Sequence, residues 1–297
     1  MTWIFTVLGF IIIGVGLRDV FHTLLHPSGQ GGLTKAAMNS TWRISKPLGL
    51  KAVSLAGPFG IVAVILLWAA LQVLGWALVY YPHVPQGFTY ADGINPSRYP
   101  DFIEALYIST VTLSTLGFGD VIATDPWIRA LSPAEALIGF ALLTAAVSWF
   151  LQLYPALARR RALALRLTVL RDGLYLQHLS EFTPETTSRV LDSITDGIIQ
   201  TRVDLTQTSE SYYFRESTAA ASLATSLSYA VALSELAKDL ADPEVRASGL
   251  ALHHSLQDLS TLMSNSLGIK GSTTDDTFQS YASDHKYDYQ PQDPSNR

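Results

Sequence analysis

The six residues from Thr115 to Asp120 read Thr-Leu-Gly-Phe-Gly-Asp, a spacing that suits the binding of a dehydrated cation. Such a cation needs oxygen atoms in place of its water shell, and the backbone carbonyls of an extended strand can supply them. Pointing successive carbonyls to one side requires alternating backbone conformations that residues with a Cβ resist. Gly117 and Gly119 relieve this steric cost, and Thr115 adds a hydroxyl oxygen.

A short apolar helix is predicted immediately before this run. Pro100 and Asp101 form a helix-start signal, because the Asp101 carboxylate complements the positive end of a helix. The apolar stretch that follows extends to Ser114. It is shorter than the roughly 20 residues that a membrane-spanning helix needs. We therefore predict a helix over 101–114 that does not cross the membrane.

Most enzymatic chemistry lacks support in this sequence. The chain contains no cysteine, which excludes disulfides, thiol nucleophiles and cysteine metal sites. It has none of the glycine-rich nucleotide motifs, zinc-protease motifs or serine-hydrolase motifs. It also lacks the basic runs that are typical of a nucleic-acid surface. We predict that the protein is not an enzyme, uses no cofactor and binds no nucleic acid.

Charge divides the chain of 297 residues into two parts. Residues 1–158 carry 14 charged side chains, whereas residues 159–297 carry 31 and account for the whole net charge of −5. Ordinary soluble domains are about 25% charged. The first part is therefore typical of a membrane protein, and the second part is typical of a soluble domain.

Two apolar stretches are long enough to cross about 30 Å of hydrocarbon. Residues 55–81 carry no charge, and residues 130–157 are interrupted only by Glu135 and are followed by three arginines. A third apolar stretch at the N-terminus, 1–25, is only marginally long enough. It fits either a transmembrane helix or a helix that lies in the membrane interface.

Loop charges predict the orientation of these spans. Residues 18–54 contain five basic side chains and one acidic side chain, whereas residues 82–129 contain two basic and five acidic ones. Basic loops stay on the cytoplasmic side. We therefore predict a multi-pass protein of the cell membrane, with a cytoplasmic linker at 26–54, an outer loop at 82–129 and a cytoplasmic C-terminal domain.

A short apolar helix that ends in Thr-x-Gly-x-Gly-Asp between two membrane spans resembles the pore loop of tetrameric potassium channels. The resemblance covers a pore domain at 55–157. It implies an outer helix at 55–81, a re-entrant pore helix at 101–114, a selectivity filter at 115–120 and an inner helix at 130–157. It also implies a homotetramer in the lipid bilayer, because each subunit supplies one filter strand.

The resemblance implies potassium as the transported ion. The ion-conducting filter is then formed by Thr115, Leu116, Gly117, Phe118, Gly119 and Asp120. The first four of these bind K⁺ through backbone carbonyls, and Thr115 adds its hydroxyl. Leu116 and Phe118 turn their side chains outward to brace the strand against the pore helix.

Further residues receive roles from the same resemblance. Tyr107 and Ser114 support the filter, and the distance of Gly139 from Asp120 along the chain is similar to that of the hinge glycine in simple two-helix potassium channels. Gly139 is thus a candidate for gating, although close helix packing is the alternative explanation of a glycine there. The cavity and inner mouth are then lined by Phe140, Leu143, Val147 and Leu151.

Two residues depart from the usual pattern of that family. Leu116 stands where valine or isoleucine is usual, and Phe118 stands where tyrosine is commonest. Phe118 lacks the hydroxyl that would tie the strand to the pore helix, and Leu116 puts strict selectivity over sodium in question. Two alternatives therefore stay open, a weakly selective cation channel and a membrane-anchored sensor or scaffold with a non-conducting pore.

The remaining sequence predicts helices followed by disorder. Thr183-Pro184-Glu185 and Asp242-Pro243-Glu244 are helix-start signals, and apolar residues at helical spacing follow them. We predict a cytoplasmic helical domain at 158–269, with no gating ligand indicated, and a disordered tail at 270–297. The expected fold is an all-α membrane protein with an extra N-terminal helix.

Overall fold

The computed structural model describes residues 2–26 and 30–289. The described residues form nine α-helices and two short strands. In chain order these are α1 (Thr2–Leu24), α2 (Gly32–Ser45), α3 (Leu50–Tyr80), β1 (Phe88–Tyr90), α4 (Asp101–Leu113), β2 (Val121–Ala123), α5 (Pro126–Asp172), α6 (Pro184–Gln207), α7 (Leu223–Lys238), α8 (Pro243–Leu267) and α9 (Thr274–Asp284). The predicted fold class, an all-α membrane protein, is confirmed.

Three helical stretches are long and apolar enough to cross a membrane. They are Trp3–Leu24, Leu50–His83 and Pro126–Asp172. The first of them is the stretch that the sequence left marginal. The helix continues through the charged residues near its end, so it is long enough to span a membrane.

Helix bounds differ from the sequence expectation by several residues at three places. The outer helix α3 begins at Leu50, five residues before the predicted start at 55. The inner helix α5 begins at Pro126, four residues before the predicted start at 130, and continues past 157 to Asp172. The residues after 157 are mostly alanine, leucine and arginine, which are strong helix formers. The change from apolar to charged composition at 158 therefore does not end the helix.

The described residues divide into two compact units, one formed by those within 2–38 and 60–151, the other by those within 39–59 and 152–289. In the first unit, α1 packs closely on α3 through glycines. A Cβ on Gly9 would lie 2.5 Å from the carbonyl oxygen of Gly75, and a Cβ on Gly75 would lie 2.6 Å from Ile13 Cγ1. Small residues allow such close approach of helices in membranes.

Asp19 fixes the turn between α1 and α2 in the first unit. Its buried carboxylate accepts hydrogen bonds from the backbone N–H groups of Leu33 (2.8 Å) and Thr34 (3.1 Å), which belong to the first turn of α2. Trp68 Nε1 on α3 donates to the same carboxylate at 2.9 Å. One side chain thus caps α2 and joins three helices.

The outer and inner helices meet through a pair of tryptophans. The rings of Trp68 on α3 and Trp149 on α5 lie 5.3 Å apart, and both side chains are buried. Aromatic pairs at this separation contribute about 1 kcal/mol beyond the area they bury. This contact holds α3 and α5 together in the first unit.

In the second unit, α6 to α9 and the last part of α5 form a helical bundle. Gly197 on α6 lies against Leu163 on α5, and Gly249 on α8 lies against Ala237 on α7. The core is filled by buried leucines and isoleucines together with Phe278 on α9. Each helix presents an apolar stripe to this core, as the sequence periodicity predicts.

The arginines that follow the inner membrane stretch have specific partners in the second unit. Arg159 Nη2 lies 2.6 Å from Asp204 Oδ1, and Arg161 Nε lies 2.6 Å from Glu216 Oε2. The buried Arg160 donates to the backbone carbonyl of Ser211 at 2.7 Å. These arginines therefore anchor the extension of α5 to the bundle.

The prediction of a disordered tail is wrong for residues 274–284, which form α9. Its start carries a capping box between Thr273 and Asp276, and Phe278 and Tyr281 are buried. This stretch is polar in overall composition, but it forms a short amphipathic helix whose apolar residues complete the core. Residues 290–297 of the predicted tail lie outside the described residues.

Candidate functional site

The glycine-containing run begins where the pore helix α4 ends. The backbone N–H of Thr115 donates to the carbonyl of Thr112 at 3.0 Å, and that of Leu116 donates to the carbonyl of Val111 at 3.1 Å. Ser114 Oγ donates to the carbonyl of Thr110 at 2.7 Å, so this side chain bonds back to its own helix. These bonds satisfy the last carbonyls of α4 and start the run in a fixed geometry.

The backbone of the run alternates between two conformational classes. Thr115, Gly117 and Gly119 have φ values of 60°, 52° and 78°, all in the left-handed region, whereas Leu116 and Phe118 do not have positive φ. Glycine adopts this region without a steric penalty, but a threonine in it costs of order 1 kcal/mol or more. The structure thus has the alternation that the two glycines predict, and it extends the alternation to Thr115.

The side chains of Leu116 and Phe118 are 60% and 65% exposed in the single chain. Bracing of the strand against a pore helix by these two side chains stays a prediction. An apolar side chain this exposed has most of its surface free for another partner.

Asp120 ends the run and joins it to two other elements. The hydroxyl of Tyr107 on α4 donates to Asp120 Oδ2, and the carbonyl of Asp120 accepts from the N–H of Ala91 at 2.8 Å. Tyr107 thus contacts the predicted filter at its last residue. The bond to Ala91 continues directly into the strand pair that follows.

A two-stranded antiparallel ribbon holds the exit of the run. Strand β1 follows the outer helix, β2 follows Asp120, and Thr89 pairs with Ile122 at the centre of the ribbon. Asp125, just after β2, accepts from the N–H of Trp127 at 2.9 Å and lies 3.0 Å from His83. The Trp127 N–H and His83 hold the pKa of Asp125 below its usual value. The ribbon and this cap thus connect the run to both long helices.

Gly139 lies where the inner helix crosses the end of the pore helix. A Cβ on Gly139 would overlap the carbonyl oxygen of Leu113 and lie 2.8 Å from the carbonyl carbon. Helix α5 continues through Gly139 without a break. The position therefore requires a residue without a side chain for close packing, which was one of the two explanations of this glycine.

The four predicted cavity residues follow Gly139 along α5. Phe140, Leu143, Val147 and Leu151 are all exposed in the single chain. Their spacing of three and four residues puts them on one side of the helix. In one chain this side of α5 is therefore mostly exposed.

Sequence reasoning missed Glu135 as a residue that positions the site. Its buried carboxyl group accepts from the hydroxyl of Tyr80 on the outer helix at 2.5 Å, and its Oε1 lies 2.6 Å from Ser109 Oγ on the pore helix. Ser109 Oγ also lies 3.0 Å from the carbonyl of Val73. A lone ionisable residue in an apolar span was the available signal, because such residues are costly there unless they have partners.

Comparison with known proteins agrees with this geometry. Residues 61–154 match a family model described as an ion channel. The chain is 24% identical over 179 residues to the uncharacterized membrane protein YdjJ of Bacillus subtilis (strain 168), an alignment that covers 59% of this chain and 51% of the relative. The chain thus spans about half the length of this curated relative. No solved structure shows a significant match to the chain.

The family match covers the outer helix from Ile61, the pore helix, the run that ends at Asp120 and most of the inner apolar stretch. These are the same elements on which the resemblance to pore-loop channels rests. The family match therefore confirms the resemblance to pore-loop ion channels over residues 61–154.

Proposed function

We propose that this chain is one subunit of a potassium channel that conducts K⁺ passively across the cell membrane. K⁺ binds to the backbone carbonyls from Thr115 to Phe118 and to the Thr115 hydroxyl, while Gly119 and Asp120 end the filter. The observation that carries the proposal is the alternation of positive φ at Thr115, Gly117 and Gly119. Ion transport, and not catalysis, is the role to which an ion channel domain points.

The proposed assembly is a homotetramer in the lipid bilayer. One chain supplies one filter strand, and a ring of oxygen atoms around an ion needs several strands. The exposed side chains of Leu116 and Phe118, together with the exposed side of α5, supply apolar surface for neighbouring copies. A closed ring of identical subunits covers such surface by symmetry.

The proposed orientation follows the loop charges. Residues 18–54 and the part of the chain after 157 lie in the cytoplasm, and residues 82–129 lie outside. The ribbon of β1 and β2 then lies on the outer side of the membrane, next to the end of the filter. The helical bundle of α6 to α9 is the cytoplasmic domain, and its charged surface suits that location.

The reversal potential of the purified full-length protein in a planar bilayer tests the proposal. With potassium on one side and sodium on the other, we expect a value near the potassium equilibrium potential. Gly117→Ala should abolish the current, since a Cβ resists the φ of 52° found there. The matched control is Gly93→Ala, which changes another glycine of positive φ (91°) with open space around it and lies outside the run.

Two other outcomes would overturn the proposal in favour of the alternatives. Substantial current with a reversal potential near zero indicates a weakly selective cation channel. In that case Leu116 and Phe118 have made the filter less selective for potassium over sodium. Absence of current from the wild type under all voltages, with folded tetramers in the bilayer, indicates a sensor or scaffold. If Gly117→Ala and Gly93→Ala reduced the current equally, the alternating run would have no specific role in conduction.

A further inference from the structure

The second unit contains a cavity of about 710 Å³ that no part of the proposed function uses. Its wall is formed by the ends of α2, α8 and α9 and by Tyr212 and Tyr213, which follow α6. Small-molecule sites in proteins commonly have volumes of about 300–1,000 Å³. The cavity is therefore large enough for a ligand of metabolite size.

Four cationic side chains and one carboxylate line this cavity: Arg43, Lys46, Lys270, Lys286 and Asp284. The carboxylate is fully engaged. It forms an ion pair with Lys46 and accepts from Trp42 Nε1 at 2.8 Å and from the hydroxyl of Tyr212 at 2.6 Å. Burial alone would raise the pKa of Asp284, but the hydrogen bonds from these three side chains outweigh it and hold the pKa below its usual value.

Three positive charges at the cavity are left without a charged partner. Lys286 Nζ donates to the backbone carbonyl of Lys46 at 2.5 Å, an acceptor that carries no charge. The side chains of Arg43 and Lys270 form no hydrogen bond or ion pair within the part of the chain that the structure describes, and both residues are exposed. Their donors are free to bind an incoming anion.

Helix ends alone do not account for this excess of positive charge. The carboxyl end of a helix carries roughly half a negative charge, and basic residues near it stabilise the helix. The three helices that end at the cavity therefore offset only part of the three uncompensated charges. The site keeps a net positive charge, which favours a multiply charged anion.

Helix α9 adds neutral polar groups to the same wall. Gln279, Ser280 and Ser283 line the cavity, and their side chains have no hydrogen-bond partner among the described residues. Amide and hydroxyl groups of this kind fix the orientation of a polar ligand by hydrogen bonds. These side chains can therefore bind the hydroxyl groups of a sugar or a similar compound better than they can bind an apolar ligand.

We propose that this cavity binds a phosphate group carried on a hydroxyl-rich body. Arg43 and Lys270 bind the phosphate oxygens, because guanidinium and ammonium groups form strong charge-assisted hydrogen bonds with phosphate. Lys286 adds positive charge beside them, and the polar face of α9 binds the hydroxyls. The ligand is either a free phosphorylated compound or the headgroup of a phospholipid.

Equilibrium dialysis of the full-length protein in phosphatidylcholine nanodiscs with radiolabelled inorganic pyrophosphate tests the soluble source. Thermal unfolding in nanodiscs with and without phosphatidylinositol 4-phosphate tests the lipid source. The test variant is Arg43→Glu with Lys270→Glu. The matched control is Arg189→Glu with Arg246→Glu, which reverses two exposed charges on α6 and α8 outside the cavity.

We expect saturable binding in at least one arm, which the test variant weakens about tenfold or more and the control leaves within about twofold. Binding of pyrophosphate assigns a free phosphate as the ligand. A thermal shift with the phosphoinositide but no binding of pyrophosphate assigns the lipid. Arg43→Gln with Lys270→Gln gives the same comparison if the charge reversal impairs folding.

The proposal is overturned if neither probe binds the wild type, or if the control variant weakens binding as much as the test variant. Neither readout depends on ion flux. Failure here therefore leaves the proposed conduction of K⁺ unaffected, and failure of conduction leaves this binding site unaffected.

Discussion

The carbonyl oxygen of Leu113 occupies the space where a Cβ on Gly139 would lie. Leu113 is the last residue of the pore helix, and Gly139 lies within the inner helix. The run that starts at Thr115 begins two residues later. A change at Gly139 therefore reaches the candidate filter through a single backbone contact.

We expect Gly139→Ala to destabilise the fold and to reduce ion flux together. Alanine is intrinsically favoured over glycine in a helix, but here its methyl group must displace backbone atoms of α4. Overpacking of this kind costs about 1–3 kcal/mol. The melting temperature in detergent and the flux from the same preparation measure both effects.

Gly14→Ala is the control for this substitution, because Gly14 on α1 has open space around it. It should raise or preserve the melting temperature. A normal melting temperature for Gly139→Ala, combined with altered opening of the pore, would support the hinge role instead and contradict the packing explanation.

The carboxyl group of Glu135 supports a second prediction. Ser109 has one hydroxyl hydrogen, yet its oxygen lies within hydrogen-bond distance of both the Val73 carbonyl and Glu135 Oε1. Both contacts are hydrogen bonds only when a protonated Glu135 donates to Ser109 Oγ while the Ser109 hydroxyl donates to the Val73 carbonyl. A glutamine can supply that hydrogen from its amide and can still accept from Tyr80.

We therefore expect Glu135→Gln to keep most of the stability and Glu135→Ala to lose it. The alanine variant leaves the buried hydroxyl of Tyr80 without its acceptor, at about 1–3 kcal/mol, whereas Ser109 keeps its contact with the Val73 carbonyl. Thermal unfolding of the two variants in one membrane mimetic decides between them. Equal losses would mean that Glu135 is ionised in the folded protein.

Local signals predicted a large part of this structure correctly. Asp242 Oδ1 accepts from the N–H groups of Glu244 (2.9 Å) and Val245 (3.1 Å), and the side chain of Thr183 caps α6. Gly117 and Gly119 have the positive φ that their pattern predicts. Each of these features depends on residues within a few positions of one another, which is the range that a sequence pattern reports.

Features that depend on distant residues were not predictable in the same way. Tyr80 and Ser109 are 55 and 26 residues away from Glu135 along the chain. Strands of three residues, such as β1 and β2, are too short for an alternating pattern to identify them. The capping box of α9 is different, since Thr273 and Asp276 were visible in the sequence and the polar composition outweighed them.

Tyr107→Phe tests the contact between the pore helix and the end of the filter. The substitution removes a hydroxyl that donates to the Asp120 carboxylate, and hydrogen bonds to charged groups contribute about 1.5–3 kcal/mol. We expect lower thermal stability and a current that decays faster under sustained opening. Single-channel recordings and thermal unfolding measure the two effects.

Tyr90→Phe provides the matched control for this prediction. The Tyr90 hydroxyl is buried and has no hydrogen-bond partner in the described structure, so its removal should be neutral or stabilising. If both phenylalanine variants lost stability to the same extent, the bond between Tyr107 and Asp120 would have no special role.

His285 makes the stability of the second unit depend on pH. Burial, together with the positive charges of Arg160, Arg215 and Lys46, lowers the pKa of His285 from 6.5 to about 3 in spite of the nearby Asp284 carboxylate. The unfolded chain therefore takes up a proton at higher pH than the folded chain does. The stability that neutral His285 provides is complete above pH 6.5 and is lost as the pH falls toward 3.

We expect this loss to approach about 1.4 kcal/mol per pH unit between pH 6 and pH 4. His285→Gln should flatten this part of the curve, whereas His254→Gln, which changes an exposed histidine on α8, should not. Thermal unfolding of the full-length protein across this pH range compares the three slopes. A wild-type slope that His285→Gln leaves unchanged would assign the acid sensitivity to carboxylates such as Asp284, whose pKa is held below its usual value by hydrogen bonds from Lys46, Tyr212 and Trp42.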